Sequence, residues 1–267
     1  MNLSNNSKLM LNDILEGMRS WHLCVFMAWE ETKQKYRRSL LGPFWMTVNS
    51  AVFMVAMGPL YGTLMKQSVT NYFQYFAVGY VIWNFITSYL NDSCGIFISA
   101  EGYIKQMKLP YTFYLFKALA KSLIILAHNF SIVLIVLIIF PPDNPAHLVF
   151  APLGGVLLIG NLFWMSVLLS ILCIRFRDIP QILSNILQLL FFLTPIMWYS
   201  TMIAGTRSSL LVSFNPAYYM LEVVRGPLLG ESPNMLAFKV TGLMLLFGLF
   251  VSGAIFSKYR SKISYWV

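Results

Sequence analysis

The stretch from Glu30 to Trp45, EETKQKYRRSLLGPFW, decides the fold of this chain. Its charged residues end before Gly42-Pro43, and the chain then stays apolar for about twenty residues, the length that crosses a bilayer core. A charged helix that breaks and continues as a membrane-length segment is typical of a surface helix that feeds a transmembrane span. The basic residues beside the break are Lys33, Lys35, Arg37 and Arg38. Because basic residues favour the cytoplasmic side, they predict the orientation of everything that follows.

Composition also indicates a membrane protein. Of the 267 residues, 58% are hydrophobic and 11% are charged, whereas soluble domains average roughly 25% charged residues. The net charge of +9 does not indicate nucleic acid, because the basic residues lie at the ends of apolar segments and form no single patch. The scattered residues Cys24, Cys94 and Cys173 indicate neither zinc nor stapling disulfides. The polar segment Met1–Ser20 predicts no cleavable signal peptide.

Six apolar segments are long enough to cross a bilayer. They are Phe44–Met65, Tyr72–Cys94, Phe113–Phe140, Leu148–Cys173, Pro180–Tyr199 and Leu236–Phe256. All Lys and Arg residues then fall on one side except four, which are Lys66, Arg207, Arg225 and Lys239. This asymmetry predicts that both termini are cytoplasmic.

The predicted fold is therefore an all-α integral membrane protein with one domain over residues 1–267. An interfacial helix is expected within 12–42, spans one to five within 44–199, and short outer gate helices within 200–235. The sixth span follows at 236–256 and a cytoplasmic tail at 257–267. The segment Asn12–Lys35 is predicted to form one amphipathic helix with Trp21 and Trp29 at headgroup depth. A surface anchor is the simplest role for it, and a cytoplasmic gate or partner contact is the alternative.

The segment Ser200–Met235 is too long for a turn and too polar to span the membrane. Asn215-Pro216 predicts a helix start, with Asn as the cap and Pro at the first position, and Gly226-Pro227 predicts its end. Backbone that re-enters a membrane is tolerated only where protein or a water-filled cavity surrounds it. The segment therefore predicts short re-entrant helices at a pore mouth.

Motifs for catalysis are absent from the sequence. It contains no GxxxxGK[ST], so an ATP site of its own is not expected, and it contains no HExxH or GxSxG. His128 lies near the middle of the third span, beside Asn129 and Ser131. Ionisable residues in membranes are functional candidates, but no acidic residue lies at the same depth. A neutral histidine hydrogen-bonded between helices is the favoured interpretation, and no metal or bound cofactor is expected.

Two polar stripes indicate a conduit. In the fifth span Gln181, Asn185 and Gln188 recur at i, i+4 and i+7, and the stripe continues to Phe192. In the first span the residues that share a face are Thr47, Ser50, Met54, Met57 and Tyr61. Either stripe lines a pore or joins helices within the bundle. The second span has an aromatic face, made of Phe73, Phe76, Tyr80 and Trp83, which is expected to face lipid or form an interfacial belt, and sugar stacking is the alternative.

Two loops on the cytoplasmic side carry basic residues. The segment Ser99–Pro110 predicts one short helix with Lys105 and Lys108, ended by Leu109-Pro110. The turn Arg175–Asp178 joins the fourth and fifth spans. In a chain without an ATP site, such loops indicate docking onto a soluble partner, and the alternative is ordinary positive-inside charge.

Five motifs in order give the chain a family resemblance. They are Tyr36-Arg37-Arg38-Ser39 with Leu41-Gly42 and Trp45, Lys105 through Leu109-Pro110, Arg177-Asp178, Thr194-Pro195 with Trp198-Tyr199, and Asn215-Pro216 with Arg225. On a six-span frame this series resembles the membrane subunits of ABC type-2 polysaccharide exporters, which move lipid-linked O-antigen, capsule or teichoic acid polymers. The proline often found early in that family's first span is absent here, and Asn49-Ser50 stands in its place.

The resemblance implies a homodimer in the bacterial inner membrane with two separate ATPase subunits, which bind the ATP and Mg. It implies a channel for a lipid-linked polysaccharide, O-antigen foremost, at the dimer centre, lined by the first and fifth spans, and no nucleic acid partner. Residues expected at the interface and the start of the first span are Trp21, Trp29, Tyr36, Arg37, Arg38, Gly42 and Trp45. Residues expected to couple to the ATPase are Ile104, Lys105, Met107, Lys108, Arg175, Arg177 and Asp178. Residues expected at the outer gate are Tyr199, Asn215, Pro216, Tyr218, Tyr219, Glu222 and Arg225.

The sequence leaves three other classes of function possible. A membrane-embedded transferase acting on a lipid-linked sugar would need clustered acids or histidines, whereas Asp92, Glu101 and Asp178 are dispersed. An ion-coupled transporter would show internal repeats or a buried charge relay. A small-molecule export permease of the ABC type-2 class is a further alternative. An ATPase encoded in the neighbouring reading frame would favour the exporter over the transferase.

Overall fold

The computed structural model describes residues 3–66, 68–142, 144–203 and 205–267. Within these ranges the chain is helical and contains no strand, which confirms the predicted all-α class. The α-helices are α1 Leu3–Arg19, α2 Trp21–Lys35, α3 Trp45–Leu64, α4 Val69–Ser93, α5 Ile96–Ser99, α6 Glu101–Gln106, α7 Tyr111–Ile139, α8 Ala151–Arg175, α9 Ile179–Leu193, α10 Ser209–Ser213, α11 Pro216–Leu228, α12 Met235–Tyr259 and α13 Ile263–Trp266.

Four helical segments of the described ranges are long and apolar enough to cross a membrane. They are Gly42–Leu64, Tyr111–Ile139, Pro145–Arg175 and Met235–Trp266, and they contain α3, α7, α8 and α12. The second and fifth predicted spans correspond to α4, which is long but more polar, and to α9, which has only 15 residues. Helix α4 packs against α3, α7, α8 and α11, so the bundle covers most of the polar groups along its middle. The chain is thus a multi-pass membrane protein.

Helix α4 is the centre of the largest apolar core. The side chains of Phe76 and Trp83 on its aromatic face are buried there, and Tyr80 stacks on Phe53 of α3 with ring centroids 4.7 Å apart. This aromatic face therefore packs against neighbouring helices in the described chain, rather than facing lipid or offering open rings to a sugar.

Hydrogen bonds between side chains join the central helices. The Asn84 amide of α4 donates to the Ser50 hydroxyl of α3 at 3.5 Å, and Ser50 donates to the Asn129 amide oxygen of α7 at 3.4 Å. The Tyr89 hydroxyl of α4 donates to Ser166 of α8 at 3.0 Å. Buried polar groups in an apolar bundle need such partners, so these bonds select how the helices pair.

The N-terminal region forms two helices, where the sequence predicted one helix from Asn12 to Lys35. The break lies at Ser20, whose backbone departs from helical angles. Helix α2 packs along α7 through small side chains at helical spacing, Cys24, Ala28 and Thr32. The rings of Trp21 and Trp29 stay exposed. Small residues allow the two backbones to approach closely, and the large apolar side chains face outward, where lipid would cover them.

A buried carboxylate fastens α1 to the rest of the bundle. Asp13 accepts hydrogen bonds from the backbone N–H groups of Tyr111 at 3.2 Å and Thr112 at 2.9 Å. It also pairs with the Arg260 guanidinium at 2.7 Å, beyond the end of α12. Helix α7 starts after Pro110, whose side chain cannot cap it, so Asp13 supplies the cap from a distant helix. Asp13 was not singled out in the sequence, because its partners lie far along the chain.

Candidate functional site

Helix α9 ends in a segment of irregular backbone. Thr194 is extended, with φ −88° and ψ 135°, because the ring of Pro195 disfavours helical angles in the residue before it. The chain from Thr194 to Trp198 is not helical, so the fifth span predicted over Pro180–Tyr199 ends as a helix earlier, at Leu193. Its carbonyl groups consequently lack the partners that a helix would supply.

Side chains from two other helices satisfy these carbonyls. The Tyr75 hydroxyl of α4 donates to the carbonyls of Pro195 at 2.8 Å and Trp198 at 3.0 Å. The Tyr72 hydroxyl donates to the Met197 carbonyl at 2.8 Å. From α11, the Arg225 guanidinium donates to the Pro195 carbonyl at 2.5 Å. Irregular backbone is tolerated in a membrane protein when protein groups satisfy it in this way.

The charge of Arg225 is buried and compensated. Its side chain is 3% exposed and forms an ion pair with Glu222 at 2.5 Å, one turn earlier on α11. The Tyr75 ring lies under the guanidinium, 4.2 Å from its centroid, which adds a cation–π contact. The predicted i, i+3 pairing of Glu222 with Arg225 is confirmed. A buried charge without such partners would be strongly unfavourable, so this cluster fixes α11 against α4 and the break.

The start of α11 follows the sequence prediction. The Asn215 side-chain oxygen accepts a hydrogen bond from the Ala217 N–H at 3.0 Å, and Pro216 occupies the first helical position. The Asn215 amide also donates to the Thr194 hydroxyl at 2.8 Å. The cap of α11 is therefore joined to the end of α9, although 21 residues separate them in sequence.

The predicted end of α11 at Gly226-Pro227 is wrong. The helix includes both residues and ends at Leu228. Gly230 has φ +77°, and the N–H of Glu231 bonds to the Gly226 carbonyl at 3.0 Å, which is a Schellman motif. A proline in the last turn removes only the hydrogen bond to the carbonyl four residues earlier, so Gly230 rather than Pro227 sets the end.

Helix α11 is buried in the bundle, whereas the sequence predicted a short outer gate helix at a pore mouth. It packs against α4, α8 and α12. Tyr219 is buried and its hydroxyl donates to the Ser213 carbonyl at 2.8 Å, while Tyr218 and Glu222 are half-buried. Tyr199 packs edge-on to Tyr72. The exposed aromatic ring of this region is Phe214, just before α11.

The amide stripe of α9 is exposed. Gln181, Asn185 and Gln188 are all accessible, as is Phe192, and α9 touches the rest of the chain through its Leu187 face. Next to the amides runs an exposed apolar stripe, Ile182, Ile186 and Leu189. Within the described chain nothing covers either stripe, so the pore-lining interpretation of α9 stays a prediction that its geometry permits.

The stripe of α3 lies against neighbouring helices. Ser50 and Met54 are buried, and Met57 and Tyr61 pack partly against the central core. The Thr47 hydroxyl donates to the His128 carbonyl at 3.2 Å. These contacts match the helix-joining alternative within a single chain, and a lining role for α3 stays a prediction.

His128 makes its hydrogen bond within its own helix. Its Nδ1 lies 2.8 Å from the Ile124 carbonyl oxygen of α7. The rings of Trp29 and Phe44 flank it, with centroids 6.4 and 5.7 Å away. The predicted bond between two helices is therefore wrong, because the helix backbone satisfies this side chain locally.

The charged stretch before α3 forms an exposed turn. Gly42 has φ +55°, a left-handed conformation that glycine adopts without strain, and Pro43 follows in a short 3-10 helix. Arg37, Arg38 and Trp45 are exposed, and Tyr36 is half-buried. Leu40, Leu41 and Phe44 are exposed as well, so exposed apolar side chains directly follow the basic pair where the chain turns into its first long apolar helix.

The predicted coupling segment is only partly helical. Helix α6 spans Glu101–Gln106 and holds Ile104 and Lys105, but Met107 is extended and Lys108 lies beyond the helix. Lys105 pairs with Glu101 at 2.5 Å. The residues before Pro110 leave the helix because a proline disfavours helical angles upstream of it. The other predicted coupling residues, Arg175, Arg177 and Asp178, are exposed.

The sequence profile of the ABC-2 type transporter family matches residues 22–229, and the chain belongs to this family. The chain is 22% identical over 195 residues to the "O-antigen export system permease protein RfbA" of Myxococcus xanthus, covering 73% of this chain and 75% of that protein. It is 25% identical over 201 residues to a Klebsiella pneumoniae protein of the same name, covering 74% and 77%.

Proposed function

We propose that this chain is the permease subunit of an ATP-driven exporter of lipid-linked polysaccharide, O-antigen foremost. The observation that carries the proposal is the exposed amide stripe of α9. Amide groups facing hydrocarbon without partners are unfavourable, so a polar path or another protein surface is needed beside them. Membership of the ABC-2 family supports transport, and the names of the relatives support the polymer class.

Two copies of the chain form the transport path. The exposed apolar stripe of α9 lies beside its amide stripe, so pairing of two copies through Ile182, Ile186 and Leu189 leaves the amides facing a shared centre. The pairing is a two-fold one, the commonest symmetry of homo-oligomers. The amides then hydrogen-bond the hydroxyls of a passing glycan without selecting one sugar.

Separate subunits supply the energy. The sequence has no phosphate-binding GxxxxGK[ST] loop, so ATP and Mg bind to a partner. The docking surface consists of α6 and the Arg177-Asp178 turn. Helix α13 contacts both α6 and α8, which supports movement of these two loops as one unit.

The membrane topology follows from the charge pattern. We propose six spans, with α4 and α9 added to the four long apolar segments, in the bacterial inner membrane with both termini cytoplasmic. The outer gate is then α11 with the irregular segment after α9, and the Arg225 cluster holds it closed.

The test is a polysaccharide export assay in cells that lack this chain but keep the ATPase subunits. We expect the lipid-linked glycan to accumulate inside and to reach the surface again when the chain is restored. The triple variant Gln181→Leu, Asn185→Leu, Gln188→Leu should insert normally but export poorly. The matched control Leu243→Ile, Leu246→Ile changes exposed apolar positions of α12, away from the proposed contact, and should export normally. Normal surface glycan without the chain would refute the proposal, and loss of glycan synthesis itself would indicate the transferase.

A further inference from the structure

A groove lies between the ends of α8 and α12, under α13. Its volume is about 730 Å³. Its walls are apolar and come from the last turns of two membrane-length helices, with Ile171 and Leu172 on one side and Ala254 and Ile255 on the other. A groove of this kind at the end of two spans opens where the hydrocarbon of a bilayer meets its headgroups.

The rim of the groove is basic. Arg175, Lys258 and Lys262 line it, and no acidic residue is among its lining residues. In the described ranges none of these three cations lies within 4.0 Å of a carboxylate, whereas Lys105, Lys117 and Arg260 each have an acidic partner. The three charges are therefore available to an external anion.

The rim is also held in place. The chain turns after α12 in a 3-10 helix, and α13 folds back so that Ile263 is fully buried. The Trp266 ring packs on Tyr259 with centroids 5.6 Å apart, and the Arg175 guanidinium lies 5.7 Å from the Trp266 ring. Arg260, inside this turn, is anchored by Asp13 of α1. The basic side chains thus project from a packed scaffold rather than from a loose tail.

We propose that this groove binds one anionic membrane phospholipid, with its phosphodiester headgroup between the three cations and its acyl chains along the apolar walls. The groove matches a phospholipid in charge and in polarity. Its basic rim suits the anionic headgroup, and its apolar walls suit the acyl chains. Basic pockets between transmembrane helices are known to take anionic headgroups. Tyr259 and Trp266 suit the same depth, because amphipathic rings favour the headgroup region.

The binding is measured on the full-length chain in detergent, titrated with phosphatidylglycerol and followed by native mass spectrometry. We expect one phosphatidylglycerol per chain and much weaker retention of phosphatidylcholine. The variant Arg175→Gln, Lys258→Gln, Lys262→Gln should lose about 100-fold in affinity, given the contribution of each basic residue to an anionic surface. Ala254→Trp should fill the groove and reduce binding without changing charge.

The charge-matched control is Lys33→Gln, Lys35→Gln, Arg37→Gln, which removes three cations elsewhere and should bind within about twofold of wild type. Equal losses of phosphatidylglycerol affinity in both triple variants would refute binding in the groove and indicate a diffuse attraction between the basic chain and anionic lipid. Competition by inorganic phosphate alone at similar concentration would refute the role of the acyl chains. Unchanged lipid binding in the groove variants, with loss of ATPase association, would show that the groove is a protein-docking surface instead.

Discussion

Arg225 of α11 donates a hydrogen bond to the carbonyl of Pro195, 30 residues earlier in the chain, while its charge pairs with Glu222. One side chain therefore satisfies the broken backbone after α9 and fixes the buried helix beside it. The bond exists because Pro195 interrupts the helix and leaves carbonyls that need donors. The guanidinium suits this role because it offers several donors in a fixed fork.

The first prediction concerns this cluster. Arg225→Met keeps the volume but leaves the half-buried Glu222 charge without its partner and the Pro195 carbonyl without its donor, so stability should fall by about 3 kcal/mol. The stability of Arg225→Lys should lie between that of the wild type and that of Arg225→Met, because a lysine cannot reach both partners in the same geometry. The measurement is the thermal unfolding of the chain in detergent.

The double variant Arg225→Met, Glu222→Gln is the control for this prediction. It removes both charges, so it should recover part of the loss seen in Arg225→Met. Unfolding of Arg225→Met at the wild-type temperature would show that the cluster contributes nothing to holding α11.

The second prediction concerns the cap that α1 supplies to α7. Asp13→Ala should cost about 1–2 kcal/mol for the lost cap, and it also leaves Arg260 without its partner. Asp13→Asn keeps an oxygen for the Thr112 N–H and should cost less. Limited proteolysis should release α1 sooner in the alanine variant.

Asp92→Asn is the matched control for Asp13. Asp92 is exposed and its partner Lys121 lies 4.0 Å away, so the pair should contribute little. Equal protease sensitivity of Asp13→Ala and Asp92→Asn would contradict an anchoring role for Asp13.

The third prediction uses two adjacent glycines of α8. A Cβ at Gly154 would collide with the Val223 carbonyl, whereas a Cβ at Gly155 would meet nothing within 4 Å. The Val223 carbonyl has no helical N–H partner, because the residue four positions later is Pro227. Gly154→Ala should therefore cost about 1–3 kcal/mol through overpacking. Gly155→Ala should be neutral or stabilise by up to about 1 kcal/mol, since alanine favours helices. Thermal unfolding of both variants checks this, and a similar shift in both would refute the close contact.

Features that depend on neighbours in sequence could be predicted. The Asn215 cap and the first-turn Pro216 each follow from the local chemistry of a few residues. The pairing of Glu222 with Arg225 follows from helical spacing alone.

Features that depend on contacts between distant residues could not be predicted from the sequence. Asp13 meets Thr112 across 99 positions, and nothing near Asp13 in sequence marks it as a cap for another helix. The stripe of α3 has the periodicity of a pore face, yet its partners on α4 and α7 determine that Ser50 and Met54 are buried. Periodicity identifies a face but does not say what covers it.

The fourth prediction tests the side of the membrane on which each loop lies. The native cysteines are buried, and burial raises the pKa of the Cys24 thiol to about 11, so it stays protonated and unreactive at neutral pH. In a background without these cysteines, Phe214→Cys should react quickly with an impermeant maleimide added outside. Tyr103→Cys of α6 should react only from the cytoplasmic side.

The half-buried position Tyr218 makes the same experiment a test of the gate, because it lies on α11 outside the Arg225–Glu222 ion pair. Tyr218→Cys should label slowly at rest and faster when the ATPase subunits turn over, because opening must separate α11 from the segment after α9. Labelling of Phe214→Cys only from the cytoplasm would overturn the proposed topology. Constant slow labelling of Tyr218→Cys during turnover would refute movement of α11.

The last prediction concerns pairing of two copies through α9. Leu189 is exposed on the apolar stripe beside the amides, so Leu189→Cys in membranes should form covalent dimers with a flexible bifunctional thiol reagent. Phe250→Cys of α12 is a matched control, because its side chain is also highly exposed but lies on a different helix. Dilution of the chain into excess lipid should leave the Leu189 dimer unchanged if the contact is specific. Equal cross-linking at both positions would mean that the copies meet by chance, and the shared path along α9 would then be wrong.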